Sequence, residues 1–274
     1  MTRLPTEKAT IFRALHEREG AFIIPNPYDA GTARILAHLG FEALATTSAG
    51  YAFSIGRRDN AVGRDLMLAH AAEIVAATEL PVSADLENGF GDSPEAVAET
   101  IRRAAATGLA GGSIEDGTGR PADPIYEFTL AVERIRAAAE TARSLPFPFT
   151  LTARAENYLV GRPDLGDTIR RLQAYQSAGA DVLYAPGLTS RDDIAAVVRS
   201  VDRPVNVLMG LAGAELSLGD LSEIGVKRVS VGSALSRAAL GAFMRGAREM
   251  RDNGTFQFAG EAVSFREING MFEE

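Results

Sequence analysis

Cysteine is absent from the chain, and histidine occurs only three times. The first absence excludes disulfides, thiolate catalysis and every zinc or iron–sulfur site built on cysteine. His16, His38 and His70 all fall inside segments of helical pattern and read as surface or packing residues. No Ser-His-Asp arrangement emerges, so histidine acid–base catalysis is not expected. Positive charge is also short: 28 Lys and Arg stand against 36 Asp and Glu, a formal net charge of −8. A nucleic-acid partner needs a basic face, and that function class is set aside. Small anions remain open, because a metal or a local arginine can reverse the field inside a pocket. No stretch approaches the roughly 18–20 uninterrupted apolar residues of a membrane span. The opening segment, MTRLPTEKATIFRALHEREG, lacks the apolar core of a secretory signal. The expectation is a cytoplasmic protein with no membrane partner.

What is present fits one α/β barrel of 274 residues, with 46% hydrophobic and 23% charged residues. Apolar runs at 21–24, 43–47, 82–85, 109–114, 149–153, 182–185, 205–209 and 228–231 have the length of strands buried on both faces, where little polar alternation is expected. Segments of helical period lie between them, at 29–39, 64–78, 94–107, 125–144, 165–178, 191–200, 214–224 and 234–250. Asp29 and Ser93 stand where N-caps belong, and Pro94 at a first helical position. Eight strand–helix units predict a (β/α)₈ barrel. An open doubly wound sheet is the competitor, but no glycine-rich phosphate loop follows the first strand. With no linker in view, residues 1–274 read as one barrel domain, with an extra N-terminal helix over its floor. Residues 254–274 form a helical tail carrying Phe256, Phe258, Phe265, Ile268, Met271 and Phe272. That much apolar surface needs a cover, and a neighbouring subunit is the natural one.

In such a barrel, chemistry gathers at the C-terminal ends of the strands. Asp85 and Glu87 are two apart at the third strand end, so in an extended segment both would point the same way. Glu115 and Asp116 open the next loop. Hard oxygen donors in this number suit Mg²⁺, with Mn²⁺ as a substitute; a solvated acidic rim is the other reading. Thr47-Ser48-Ala49-Gly50 is a small-residue turn whose backbone N–H groups could cradle a carboxylate, or simply a glycine turn. Arg154 would enter the mouth as a clamp for a substrate carboxylate, or pair with Glu156. Thr46, Tyr51, Tyr184, Asn206 and Ser233 are the expected wall residues.

These residues together resemble the isocitrate lyase/phosphoenolpyruvate mutase superfamily. The resemblance runs over nearly the whole barrel. It is carried by Pro25-Asn26-Pro27-Tyr28-Asp29-Ala30-Gly31-Thr32-Ala33-Arg34, by Thr47-Ser48-Ala49-Gly50, and by the Asp-x-(Asp/Glu)-x-Gly-(Tyr/Phe)-Gly run at 85–91. Ser113-Ile114-Glu115-Asp116 and Ala153-Arg154-Ala155-Glu156 follow in order. The resemblance implies that Asp85 binds Mg²⁺ directly, with Glu87 and Glu115 binding it directly or through water. It implies that Ser48, Ala49 and Gly50 hold the carboxylate of a 2-oxo acid, with Arg154 also on the substrate, and that Asp59 is an acid near the reacting centre; Asn206, on the seventh strand, is a further substrate-binding candidate from its position. The shared chemistry is a metal-stabilised enolate, from which a C–C or P–C bond can break.

Departures narrow the choice. The loop after strand 4 reads Gly117-Thr118-Gly119-Arg120-Pro121-Ala122-Asp123-Pro124, without the Lys-(Lys/Arg)-Cys-Gly-His motif of isocitrate and methylisocitrate lyases. It also lacks the lysine and asparagine of the phosphonate-forming mutases. Arg120, the cation left in that loop, is the candidate to close over an anionic substrate, or else a solvated loop arginine. Tyr184-Ala185-Pro186-Gly187 lacks the acidic residue that methylisocitrate lyases place there. The expected activity is Mg²⁺-dependent carbon–carbon cleavage or decarboxylation of a small 2-oxo acid, such as oxaloacetate or another 2-oxo dicarboxylic acid. A phosphonopyruvate mutase or hydrolase, a non-catalytic 2-oxo acid binder and a folate-dependent hydroxymethyltransferase are the competitors. The resemblance further implies a homodimer or homotetramer.

Overall fold

A short run of Val, Ile, Leu and Ala can hide both of its faces only inside a parallel sheet with helices outside and side chains packed within. The computed structural model, which describes residues 3–272, arranges the runs in that way. Strands β1 (Phe22–Ile24), β2 (Leu44–Ala45), β3 (Val82–Asp85), β4 (Gly111–Glu115), β5 (Thr150–Arg154), β6 (Val182–Tyr184), β7 (Val205–Leu208) and β8 (Arg228–Ser230) are all parallel. They pair in the order β1-β8-β7-β6-β5-β4-β3-β2. Helices α1 (Pro5–Glu17), α2 (Ala30–His38), α3 (Ser48–Ser54), α4 (Arg64–Ala76), α5 (Pro94–Ala105), α6 (Phe128–Arg143), α7 (Leu165–Ala178), α8 (Arg191–Arg199), α9 (Leu218–Glu223) and α10 (Ala234–Asn253) alternate with them. This is the (β/α)₈ barrel that the eight-unit pattern predicts.

The barrel closes, nearly, at the seam between β1 and β2. Pro25 and Pro27 have no N–H to give to a ladder, so regular pairing thins there. Ala45 N–H donates to the Pro25 carbonyl at 3.0 Å. The Asn26 side chain supplies the rest: Nδ2 donates to the Thr46 carbonyl at 3.0 Å, and Oδ1 accepts from the N–H groups of Val231 and Gly232, each at 2.9 Å. One buried amide thus ties β1, β2 and the end of β8 at the rim where the site lies.

The predicted caps at Asp29 and Ser93 accept from Thr32 N–H at 2.7 Å and Ala96 N–H at 3.3 Å. Two helices begin later than their apolar period indicates. Glu127 caps α6 through Thr129 and Leu130, because residues before it turn back to form the Gly117–Ile125 bridge. Ser217 caps α9, so residues from 214 stay outside it. Helix α1 covers the barrel floor, packing Ala9, Phe12 and Leu15 against Phe22, Ile24, Ala43 and Ala110. Beyond α10 come a 3₁₀ turn (Gln257–Glu261) and α11 (Phe265–Gly270). Glu249 receives Thr255 Oγ1, Gln257 N–H and Phe258 N–H, which folds the tail back onto α10. Along α10 only Ser236 and Gly246 are buried, and Phe243, Phe256 and Phe265 are 73%, 68% and 90% exposed. Among the described residues, no helix is long and apolar enough to cross a membrane.

Candidate active site

Side chains two apart on a strand share a face, so each strand sends a column of residues into the barrel. At the C-terminal rim these columns surround a cavity of about 180 Å³, lined by Ser48, Ala49, Asp59, Asp85, Arg154, Tyr184 and Asn206 among others. Of the expected wall residues, Thr46, Tyr184, Asn206 and Ser233 line it. Tyr51 does not; its ring is stacked on His70 at 3.7 Å.

Arg154, the last residue of β5, is the hub. It reaches Asp85 at 2.9 Å, Glu115 at 3.1 Å and Glu156 at 2.8 Å. It lines the cavity and at the same time pairs with Glu156. Burial alone would disfavour its charge, but Glu115, Glu156 and Asp85 hold it protonated well beyond its usual range. Burial pushes the Glu115 and Glu156 carboxyls up against the pull of Arg154, and neighbouring carboxylates add to the rise, Glu156 and Asp85 for Glu115, Asp116 and Asp85 for Glu156. Glu156 is fixed from behind, since its N–H donates to Asp116 at 2.8 Å, and Asp116 in turn receives Arg171 and the Tyr175 hydroxyl. Asp116 therefore belongs to this buried support and not to the mouth, where its place beside Glu115 in sequence had put it.

Asp85 is positioned by both oxygens. Oδ1 accepts from Arg154, and Oδ2 accepts from Ser48 Oγ at 2.8 Å and Ser48 N–H at 3.2 Å. Ser48 can reach because residues 48–54 form α3, a short helix where the sequence indicates only a turn. Thr47 caps it, accepting from Gly50 N–H at 3.2 Å. Gly50 does not line the cavity; a β-carbon there would stand 2.6 Å from Thr47 Cγ2 and 3.1 Å from Tyr28 Cβ, so glycine lets α3 sit against β1's end. Asp59 lies at the rim. The residue is exposed overall, yet its carboxyl turns inward, and lost solvent there followed by the charge of Asp85 raises its pKa.

The shared orientation expected for Asp85 and Glu87 is not found. Strand β3 ends at Asp85, and Glu87 has φ +49°, so the two do not belong to one extended segment. Phe90 also has φ +57°, and such left-handed non-glycine residues are concentrated at functional loops. Glu87 is buried, its Oε1 has no hydrogen-bond partner, and it lines a neighbouring cavity with Asn60, Asn88 and Thr118. Burial, then the charges of Asp85 and Asp59, push its carboxyl up to about 8. Arg120 is also kept apart from the cavity. It pairs with Asp92 at 2.8 Å and Asp123 at 3.6 Å on the outside of its loop, and Tyr126 donates to the same Asp92.

Among the described residues, no three His, Cys, Asp or Glu side chains are grouped to hold a metal ion. The donor chemistry nonetheless fits a hard divalent cation. Asp85, Glu115 and Glu156 surround a single guanidinium, Asp59 and Glu87 feel its charge from further off, and the orphaned Glu87 oxygen is the kind of buried acceptor that a cation would satisfy. Each Asp85 oxygen already accepts two hydrogen bonds, Oδ1 from Arg154 and Glu87 N–H and Oδ2 from the Ser48 hydroxyl and N–H, so an ion at Asp85 would displace part of this set.

One cavity residue carries no sequence motif. Arg228 opens β8 and points inward with Ser230, reaching Asn206 and Thr152 at 2.9 Å. Arg228 stands at the first position of its apolar run, so the sequence alone did not distinguish it from a charged residue flanking the strand.

Comparison with known proteins agrees with this architecture. A family model described as phosphoenolpyruvate phosphomutase matches residues 12–251. The crystal structure of a candidate lyase/mutase from Burkholderia cenocepacia J2315 is 67% identical, covers 98% of this chain and 97% of its own, and superposes with a TM-score of 0.96. An oxaloacetate decarboxylase of Bradyrhizobium sp. is 30% identical over 213 residues, 74% of this chain and 70% of the relative. A 2-methylisocitrate lyase of Halalkalibacterium halodurans is 28% identical over 261 residues, 91% of this chain and 84% of the relative. The chain belongs to the phosphoenolpyruvate mutase family of the isocitrate lyase/phosphoenolpyruvate mutase superfamily.

Proposed function

We propose that this protein is a Mg²⁺-dependent lyase that breaks a carbon–carbon bond of a small 2-oxo acid, with oxaloacetate or a related 2-oxo dicarboxylic acid as the preferred substrate. The observation that carries the reading is the Arg154–Asp85–Ser48 chain at the cavity wall. Asp85 would hold the ion, supported by Glu87 and Glu115 directly or through water. When bound, the ion supplies positive charge to the oxygen that becomes negative as the bond beyond it breaks. Ser48 and Ala49 at the start of α3, with Arg154, would orient the substrate carboxylate. Asp59, whose carboxyl turns inward at the cavity rim, would be placed to pass a proton near the reacting carbon. A cavity of about 180 Å³ is smaller than the roughly 300–1,000 Å³ of drug-sized sites and suits a small acid. Without the loop cysteine, thiol acid–base chemistry has no place here. The test is turnover with Mg²⁺ of oxaloacetate, 2-methylisocitrate, isocitrate and phosphonopyruvate, followed by pyruvate and CO₂ release. Metal-dependent carbon–carbon cleavage supports the reading. Turnover of phosphonopyruvate alone would replace it with a P–C bond enzyme, and binding without turnover of any would make the protein a 2-oxo acid binder.

The exposed apolar face of α10 and the tail supports a second part of the proposal, a homodimer or homotetramer in which another copy covers this arm. Leu240, Phe243, Met250, Phe256 and Phe265 would not remain in water on a stable isolated subunit. Deleting residues 254–274 is expected to yield monomers or insoluble protein by size-exclusion chromatography. A soluble, fully active oligomer after that deletion would sink the idea.

A further inference from the structure

The two guanidiniums of the cavity are compensated very differently. Arg154 is held by three carboxylates. Arg228, only 5% exposed, has neutral partners instead: Nε donates to Asn206 Oδ1 at 2.9 Å, one terminal nitrogen to Thr152 Oγ1 at 2.9 Å, and the other lies 3.3 Å from His16 Nε2. Those contacts use three of the five N–H donors of a guanidinium. Burying such a charge without an anion is costly, and the cost is recovered when an anion arrives.

The surroundings are built for one. Ser83, Ser113, Asn206, Ser230 and Arg228 all line the same cavity as Asp85 and Arg154. The Arg228 guanidinium stands at the level of Thr152, which lies two residues below Arg154 on β5. One same-face step along a strand is roughly 7 Å, about the span between the two ends of a four-carbon diacid.

Resting on the 2-oxo acid reading above, we infer that Arg228 receives the far carboxylate of a dicarboxylic substrate at the cavity floor, while the 2-oxo end faces Asp85 and Ser48 at the rim. Arg228 is then the specificity-determining residue that separates dicarboxylates from monocarboxylates of equal length.

Malate and 2-hydroxybutyrate test this directly, since both keep the oxygen beside the first carboxylate and differ in the far group. Calorimetric titration of the full chain in Mg²⁺ buffer is expected to show malate favoured by roughly ten- to a hundredfold, the range of a charge-assisted hydrogen bond. Arg228→Gln should remove that preference and leave 2-hydroxybutyrate binding within twofold. Equal affinities in the unaltered protein, or an Arg228→Gln variant that weakens both ligands alike, would overturn the inference while leaving the 2-oxo acid site in place. If neither ligand binds, that site reading fails and the inference with it. Should Arg228→Gln not fold, Arg228→Lys keeps the charge without the planar fork; its malate preference is expected to fall severalfold, and an unchanged preference overturns the assignment.

Discussion

Replacing Asp85 with alanine is expected to lower Mg²⁺-dependent turnover by at least about a hundredfold, comparable with losing one preorganised charge-stabilising group. Three consequences converge on this residue. The proposed metal loses its direct ligand. Ser48 loses the acceptor that holds its hydroxyl and N–H toward the cavity. Arg154 keeps Glu115 and Glu156 but loses the partner that draws it to the cavity side. Asp85→Asn separates these effects, because the amide can still bond to Ser48 and yet binds a hard cation poorly. Rates and Mg²⁺ titrations of both variants, with circular dichroism to check the fold, form the measurement. A variant that turns over at the native rate with native metal dependence would refute the placement of the metal at Asp85.

The barrel was legible because its signal is coarse. Parallel strands buried on both faces need no alternation, so eight apolar runs punctuated by caps and glycines mark eight βα units wherever their exact ends fall. The strand-end residues Ser48, Asp85 and Arg154 were legible for a related reason: topology alone delivers the end of each strand to one rim. What escaped depends on local backbone geometry. Helix α3 has seven residues and no glutamate or glutamine at its third position, so Thr47-Ser48-Ala49-Gly50 carries neither a helical period nor a capping box. The left-handed turn at Glu87 has no propensity signature, since glutamate seldom adopts it, and it invalidates a two-residue argument that assumes extended chain. Arg120 depends on the folding of its loop, where Asp92 and Asp123 take its charge. Arg228 looked like the edge of an apolar run; only the register with Ser230 shows that it points inward.

His16 provides the largest expected effect on stability, through pH. Its ring is buried between Phe12 and Phe22. Nδ1 lies 2.8 Å from the Phe12 carbonyl and so carries the proton, which leaves Nε2 to accept from Arg228. Protonating Nε2 would set two cations face to face among buried side chains. Burial, then Arg228, accordingly lowers the His16 pKa from 6.5 to about 3. The unfolded chain takes up a proton below 6.5 and the folded chain does not until about 3, so acidification through this window favours unfolding. The loss approaches about 5 kcal/mol when complete and reaches about 2 kcal/mol by pH 5. His70, lowered to about 4 by burial, acts in the same direction. Glu87, raised to about 8, acts in the opposite one: its folded form holds the proton longer, so it loses stability as pH rises from 4.5 to 8. The total profile therefore mixes opposing slopes, and a difference profile isolates His16. Urea unfolding of the native chain and of His16→Gln between pH 7.5 and 5 is expected to show the native chain losing about 2 kcal/mol relative to the variant. Gln can still donate to the Phe12 carbonyl or accept from Arg228, but cannot titrate. Parallel profiles for the two proteins would mean that His16 takes up its proton as readily in the folded chain as in the unfolded one.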